Sequence, residues 1–239
     1  MLKRLPSGKH THRGLALWYN VALVTFFVIS VSVTATMIQS GTVTSDLTKD
    51  VVEEAMSEAR HGLEIVGKVS GTADVANDEV ITTATPITVA TGGKVDVSEL
   101  MFKLNYKLIK IQSHVISYDN IYVGALTGTS YNSVYDALED AKSLGLIDIN
   151  PYVDEEKPTT TSAFIYWVVN IEDDYFISQG ELAVIAIVYA DKDRPNSGEY
   201  LLVEGITPAG NVLSVERNIP NISNRVIDLG GKVSEEELN

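Results

Sequence analysis

Histidines and cysteines are the side chains that most often carry metal or nucleophilic chemistry. This chain of 239 residues has four histidines and no cysteine, so thiolate metal sites, disulfides and cysteine nucleophiles are excluded. His61 and His114 are isolated in sequence, and His10 and His12 lie in a basic N-terminal segment that we predict to be removed from the mature protein. No metal-ligand spacing is visible, and we predict no metal site.

Two acidic segments offer oxygen ligands. Asp191 to Asn196 (DKDRPN) is the denser one, but it lacks the glycine and the spacing of an EF-hand loop, and Glu172-Asp173-Asp174 is shorter. We predict both to be polar turns. The chain has no Gly-x-Ser-x-Gly, no Walker loop and no Gly-x-Gly-x-x-Gly at a strand-to-helix turn. The sequence therefore predicts a protein that uses no cofactor and is not an enzyme.

One modification motif is present. Asn221-Ile222-Ser223 is the only Asn-x-Ser/Thr acceptor in the chain. This motif accepts N-linked sugar when it lies on the surface of an exported protein. Asn221 is therefore a candidate N-glycosylation site.

The charge is strongly acidic and unevenly placed. The net charge is -14, from 18 basic and 32 acidic residues, and the first 14 residues contain Lys3, Arg4, Lys9 and Arg13 but no acid. Phosphate binding needs clustered lysine and arginine, so we predict no nucleic-acid partner. The acidity is typical of a solvated, self-repelling surface.

A long apolar segment follows the basic start. Residues 15–45 contain no charge, and residues 15–38 are mostly apolar, which is long enough for a helix that crosses a bilayer. Basic residues before it place the N-terminus in the cytoplasm. Three interpretations fit: a signal anchor, a secretory signal cleaved near Val33-Thr34-Ala35, or a pilin-type signal cut before the apolar segment. His12-Arg13-Gly14, directly before Leu15, favours the third.

A second helical pattern follows the apolar segment. Over Asp46 to Val66, apolar residues recur at helical spacing and polar residues occupy the other side, with Gly67 as a stop. We predict one helix, apolar in its first half and amphipathic in its second. Such a helix can span the membrane and then pack against copies of itself in a fibre.

Both ends of the chain resemble the archaellins, the flagellins of archaea. The matching parts are His12-Arg13-Gly14 with the apolar run from Leu15, LEIVGKVSG at Leu63 to Gly71, GELAVIAIVY at Gly180 to Tyr189, and ITPAGNVLSVERNIPNISNRVIDLG at Ile206 to Gly230. Residues 72–160 match poorly. Bacterial type IV pilins carry glutamate at the fifth mature position, where this chain has Tyr19, and Trp18, Tyr19 and Asn20 depart from the small or aliphatic residues usual in archaellins.

The resemblance implies a biogenesis and an assembly. A prepilin-type signal peptidase would cut between Gly14 and Leu15, and the membrane-inserted precursor would pass to the ATP-driven archaellum assembly and motor machinery. The retained helix would form the filament core, in contact with copies of itself or with other archaellins. Its core residues would include Val21, Val24, Phe27, Val28 and Val31. The filament would be extracellular and would serve swimming.

The rest of the chain predicts an outer β-domain. We expect strands at Leu100–Ile111, Val115–Val123, Ala163–Ile171, Glu181–Tyr189, Tyr200–Ile206 and Val212–Arg217, and a short helix at Ser133–Leu144. The predicted fold class is α+β, a long N-terminal hydrophobic helix followed by an antiparallel, Ig-like β-sandwich.

We therefore predict four parts. They are a signal peptide at 1–14, a filament-core helix at 15–67, an outer sandwich at 68–231 and an acidic, solvated tail at 232–239. Two other functions remain open from the sequence: an archaeal type IV adhesion pilin, and a membrane-anchored binding protein with a β-sandwich ectodomain.

Overall fold

A computed structural model describes residues 62–89, 93–111 and 114–230 of the chain. The strands in these ranges are β1 (Leu63–Ile65), β2 (Ser70–Asp74), β3 (Glu79–Val89), β4 (Lys94–Asp96), β5 (Lys103–Ile109), β6 (Val115–Tyr118), β7 (Tyr122–Leu126), β8 (Ser162–Val169), β9 (Phe176–Ser178), β10 (Leu182–Val188), β11 (Tyr200–Ile206), β12 (Val212–Asn218) and β13 (Val226–Asp228). The helix α1 (Val134–Ser143) lies between β7 and β8.

The larger sheet has seven strands in the order β13-β2-β3-β10-β8-β7, with β1 added to β3. Both β1 and β2 pair with the same edge of the long strand β3, one after the other: Ile65 lies opposite Ile87, and Ser70 lies opposite Ala84. All pairs in this sheet are antiparallel except that of β7 with β8, which is parallel. The expectation of a wholly antiparallel domain is wrong at this pair, because α1 carries the chain from the end of β7 back to the start of β8.

The smaller sheet has four antiparallel strands in the order β12-β11-β5-β6. Its strands alternate buried and exposed residues, as expected for a sheet with one face on a core and one face in water. Val203 in β11, for example, lies between Val215 of β12 and Tyr106 of β5, and all three are buried. A short pair, β4 with β9, lies outside both sheets.

The two sheets share one hydrophobic core. Its largest fully buried side chains include Trp167 from the larger sheet, Tyr106 from the smaller one, and Phe102 from the turn before β5. The described domain is therefore a β-sandwich, as predicted, and its Ig-like classification stays a prediction. Burial of these aromatic side chains supplies much of the hydrophobic stabilisation of the fold.

The other face of the larger sheet packs against α1. Phe164 and Val184 form a second core with Ala137, Leu138 and Ala141 of the helix. This explains why β8 and β10 are continuous apolar runs rather than alternating ones, since both of their faces are covered. The structure confirms the helix predicted at Ser133–Leu144, and each observed end lies within one residue of the predicted end. The Ser133 side chain caps it by accepting a hydrogen bond from the Asp136 amide at 3.2 Å.

Three predicted element boundaries are wrong. The helix predicted up to Val66 cannot include its last residues, because Leu63–Ile65 form β1 on the edge of β3. The strand predicted from Leu100 starts only at Lys103, since the Met101 and Phe102 amides bond back to the Ser98 carbonyl in a turn. The strand predicted over Val115–Val123 is two strands, β6 and β7, in different sheets.

A close contact between β11 and the turn before β5 yields a stability prediction at Gly205 in β11. A Cβ added there would lie 2.8 Å from Cζ of Phe102, a fully buried ring. We expect Gly205→Ala to destabilise the protein by about 1–3 kcal/mol, because the core has to shift to accept the methyl group. Urea unfolding of the full chain measures this. Ser214→Ala, on the exposed face of the neighbouring strand, is the matched control and should stay within about 0.5 kcal/mol. Equal effects of the two substitutions would contradict the proposed overlap.

Candidate assembly surfaces

A shallow groove lies at the β7 end of the larger sheet. Its volume is about 300 Å³, and its lining comprises Ser98, Glu99, Leu100, Val123, Gly124, Ala125, Leu146 and Tyr175. Leu100 is 90% exposed and Tyr175 is 48% exposed, so this groove displays large apolar side chains to solvent. Apolar residues that gather around a groove are typical of contact surfaces, whereas scattered ones are not.

The strand beside this groove ends the sheet. β7 pairs with β8 on one side, and no strand of the described ranges pairs with its other side. The pairing shifts register between Tyr122 and Gly124, and Gly124 has a φ of +132°, which a residue with a side chain rarely adopts. Such irregularity bends an edge strand and limits uncontrolled pairing with other chains.

A second cavity, of about 460 Å³, lies between β1 and β12. It is lined by Leu63, Glu64, Ile65, Leu213, Ser214, Glu216 and Arg217. In β12 the residues Leu213, Val215 and Arg217 are the buried, inward-facing set. An arginine therefore occupies a position where the alternation of the strand calls for an apolar residue.

Within the part of the chain that the structure describes, the Arg217 guanidinium has one hydrogen-bond partner. The residue is 6% exposed, and Nη1 donates to the Glu216 carbonyl at 2.6 Å. Its Nε and Nη2 atoms are buried and have no hydrogen-bond partner, and no salt bridge to Arg217 occurs among the described residues. Burial lowers the pKa of Arg217. The sequence did not lead us to predict a role for Arg217, although a charged residue at an inward-facing position of a predicted strand could have indicated one.

The denser acidic segment is exposed at Asp191 and Lys192, but its prediction as a polar turn is wrong for Asp193 and Arg194, which are buried. The Asp193 carboxylate is 2% exposed and accepts hydrogen bonds from Thr161 Oγ1 at 2.8 Å and from the Tyr118 hydroxyl at 3.0 Å. Arg194, also buried, pairs with Glu79 at 3.2 Å and with Asp191 at 3.3 Å. Burial, and then the bond to Asp193, raise the pKa of Tyr118. These contacts tie the β10–β11 connection to both sheets.

The second acidic segment is a surface turn, as predicted. Lys94 pairs with Glu172 at 2.6 Å and with Asp174 at 3.1 Å. The buried carboxylate of Glu181 organises the turn by accepting from the amides of Ile171 and Ser178, each at 2.8 Å. Across the described ranges, no group of three or more His, Asp or Glu side chains is arranged to hold a metal ion.

The candidate acceptor Asn221 is exposed. Its neighbour Ile222 is buried, and the Ile222 amide donates to Ser197 Oγ at 3.0 Å, which holds this segment against the domain. Asn221 is therefore accessible on an ordered surface, and its glycosylation stays a prediction. His114 is exposed at the connection between β5 and β6.

The residues predicted for processing and for the filament core lie outside the described residues. They are Gly14, Leu15, Val21, Val24, Phe27, Val28 and Val31, and His10, His12 and His61 lie outside as well. Among the described residues, no helix has the length and apolar character needed to cross a bilayer.

The fold of the domain is similar to that of solved archaeal flagellins. It is similar to the crystal structure of archaeal flagellin FlaB1 from Methanocaldococcus jannaschii, with a TM-score of 0.50 and 18% identity over 70% of this chain and 96% of that one. The archaeal flagellum of Methanospirillum hungatei strain JF1 gives a TM-score of 0.43 and 13% identity over 89% of this chain and 98% of that one.

The sequence itself is similar to a named relative. It is 26% identical over 217 residues to a probable flagellin 1 of Aeropyrum pernix, which covers 90% of this chain and 93% of the relative. No family model matches the chain. The similarities to the Aeropyrum pernix flagellin and to the FlaB1 crystal structure confirm the resemblance to archaellins that the two ends of the sequence predicted.

Proposed function

We propose that this protein is the structural subunit of an archaeal flagellum filament and that it polymerises through its N-terminal apolar segment. The observation that carries the proposal is the extent of the match to the Aeropyrum pernix flagellin. Its 217 residues exceed the length of the described domain, so the match takes in much of the N-terminal segment as well. A relative that shared only a sandwich domain would match only that part.

The N-terminal segment supports a particular route to the filament. A prepilin-type signal peptidase cuts between Gly14 and Leu15, and residues 15–38 hold the precursor in the membrane with its N-terminus in the cytoplasm. Lipid is as apolar as a neighbouring helix, so hydrophobicity alone does not drive the transfer into the filament core. Close packing between helices, together with the ATP-driven archaellum assembly and motor machinery, supplies the remaining driving force.

The outer domain suits an exposed position on such a filament. The chain carries a net charge of -14, and the described residues of the β-sandwich form two hydrophobic cores. An independently folded, acidic domain can face water while the apolar segments pack together. We place the mature protein outside the cell, where Asn221 is open to glycosylation.

The mature N-terminus is the sharpest test of this route. We expect the intact mass of protein purified from its native cells to correspond to a chain that begins at Leu15. We also expect Gly14→Val to block the cut, because the larger side chain replaces the small residue at the cleavage position, while Gly8→Val in the same basic segment leaves processing complete. A mature chain that begins at Met1 would favour the membrane-anchored binding protein instead.

A separate measurement is needed to decide whether the filament serves swimming or adhesion. A strain without this protein should lose swimming and keep surface attachment if the filament is a flagellum. Loss of attachment with normal swimming would favour the adhesion pilin.

A further inference from the structure

The domain has three layers, and α1 and the smaller sheet are the two outer ones. Successive residues of β8 face opposite layers: Phe164 lies in the core that α1 covers, and Ile165 lies in the core shared with the smaller sheet. The larger sheet is therefore the middle layer. The solvent-facing side of α1 and the outer face of the smaller sheet point away from each other, on opposite sides of the domain.

The solvent-facing side of α1 is acidic. Asp136, Glu139 and Asp140 are exposed there, and none of them forms a salt bridge with another described residue. The single lysine of the helix, Lys142, is already paired with Asp154 at 2.6 Å. We call the exposed residues of α1 the acidic helix face; they are Tyr135, Asp136, Glu139, Asp140 and Ser143.

The outer face of the smaller sheet is basic along β5. Lys103 and Lys107 point outward from this strand, and both are exposed. Apolar side chains lie beside them, since the half-buried Ile206 and Leu202 of β11 are opposite Lys103 and Lys107. A partner surface that meets this face can bury apolar area and neutralise lysines together. We call the outward residues of β5 and β6 the lysine face; they are Lys103, Asn105, Lys107, Ile109, Val115 and Ser117.

Neither lysine of this face has an acidic partner within the described part of the chain. Glu204 of β11 lies opposite Asn105, one step along the face from each lysine, yet it forms no salt bridge with either. Glu216 of β12 accepts a hydrogen bond from the Tyr200 hydroxyl at 2.6 Å. In a chain with a net charge of -14, the lysine face is therefore a local site of unmatched positive charge.

The charges of the two faces decide which of them can meet when two copies come together. Two acidic helix faces repel each other, and so do two lysine faces, whereas one of each attracts. Because the two faces lie on opposite sides of the domain, a contact between unlike faces leaves one of each free at the two ends. Such a head-to-tail contact does not close on itself by pairing, and its repetition builds an open assembly.

We propose that the acidic helix face of one copy docks on the lysine face of the next copy in the assembled protein. The faces match in length, since a helix of ten residues measures about 15 Å and the step from Lys103 to Lys107 about 13 Å. A contact of this extent is smaller than the roughly 800 Å² per partner of a stable complex. The docking therefore rests on the proposed filament function, in which the apolar segments hold the copies close enough for a weak contact to form.

A cross-linking experiment tests the contact directly, because the chain contains no cysteine of its own. Filaments of a chain with both Lys107→Cys and Glu139→Cys should give a ladder of covalent dimers, trimers and longer products with a short bismaleimide. Each single variant should stay monomeric on a denaturing gel, since like faces do not meet. A chain with Lys68→Cys and Glu139→Cys carries the same two types of substitution, with its first cysteine on the sheet edge at β2, and should give no ladder.

An exchange of charges is the second test. Lys107→Glu should lower the temperature at which purified filaments dissociate by about 5–10 °C, because it places a glutamate against the acidic helix face, and Glu139→Lys should act similarly. A chain with both substitutions restores an attractive pair between neighbouring copies and should return to within about 2 °C of the unchanged filament. Near-ultraviolet circular dichroism of the dissociated subunits should show an unchanged melting temperature of the β-domain in all three variants, since both positions are exposed.

The outcomes separate this docking from the filament function. Filaments in normal yield that give no ladder with the pair of Lys107→Cys and Glu139→Cys would overturn the docking and leave the filament function standing. Dimers from either single cysteine variant would show that like faces meet. Equal losses from the two charge reversals, with no recovery in the double variant, would show that the residues do not face each other. Native cells in which this protein forms no filament would overturn the filament function, and the docking with it.

Discussion

Filaments should be absent from cells whose only copy of this protein carries Val28→Asp, while the outer β-domain of the variant stays folded. Val28 lies outside the described residues, in the middle of the run from Leu15 to Ser45 that contains no charge. In the proposed filament this run packs against the same run of neighbouring subunits, where a carboxylate has no partner. An unpaired buried charge costs several kcal/mol at every contact, and that cost is repeated along the whole filament.

Controls separate assembly from earlier steps. A charge at the centre of a bilayer helix costs about 3 kcal/mol on insertion scales, so membrane insertion and the cut after Gly14 have to be followed in the same cells by fractionation and intact mass. Val28→Leu should leave the filament yield unchanged. Val153→Asp introduces the same charge at an exposed valine in a turn of the outer domain and should also assemble. Normal filament yield from Val28→Asp would refute the proposed core.

Alkaline pH should unfold the outer domain well below the pH at which its buried tyrosines ionise in place. Burial raises the pKa of Tyr166 to about 12, and burial with a hydrogen bond to Asp140 raises the pKa of Tyr131 to about 12. The pKa values of Tyr106, Tyr122 and Tyr189 are raised as well, first of all by burial. In the unfolded chain these phenols ionise near pH 10.

The direction of this pH dependence follows from the linkage between proton binding and folding. A group whose pKa is raised by folding contributes stability that is complete below its unfolded pKa and is lost as the pH rises through the folded one. Between pH 10 and pH 12, each buried tyrosine should remove about 1.4 kcal/mol of unfolding free energy per pH unit. Five such residues give a combined loss of roughly 7 kcal/mol at pH 11, which is comparable to the whole stability of an ordinary domain.

Urea unfolding at pH 8.5, 10 and 11, with phenolate absorbance at 295 nm, measures this. The Tyr166 share of the phenolate absorbance, taken as the difference between the chain and its Tyr166→Phe variant, should appear together with the loss of structure and not before it. Tyr166→Phe should reduce the pH dependence by one group, because it removes a buried phenol. Tyr166 phenolate that appears near pH 10 while the protein is still folded would contradict the burial of this ring.

The parts of the fold that depend on local pattern could be predicted from the sequence. Ser133 before an amphipathic stretch and Gly145 after it defined α1, because a cap and a left-handed stop are properties of neighbouring residues. The apolar runs of β8 and β10 were equally clear, and their continuity had a physical cause in the two cores that cover them.

Features set by distant contacts could not be predicted. Residues Leu63 to Ile65 continue a helical pattern, yet they form a strand because the edge of β3 offers backbone partners. Asp193 looked like part of a solvated turn, and its burial depends on Thr161 and Tyr118, which are far away in sequence. Among the residues of the candidate assembly surfaces, only Arg217 could have been recognised from the local sequence. It is a charged residue in the set of β12 residues that face inward.

The position of β13 also determines the order of events during synthesis. Asp228 contacts Lys68 across 160 residues of sequence, and Ile227 and Leu229 are part of the main core. A nascent chain cannot complete this sheet while β13 is still inside the ribosome, and pairings of such long range are slow to form. This sheet is therefore completed only after β13 has left the ribosome, long after the N-terminal apolar residues have emerged.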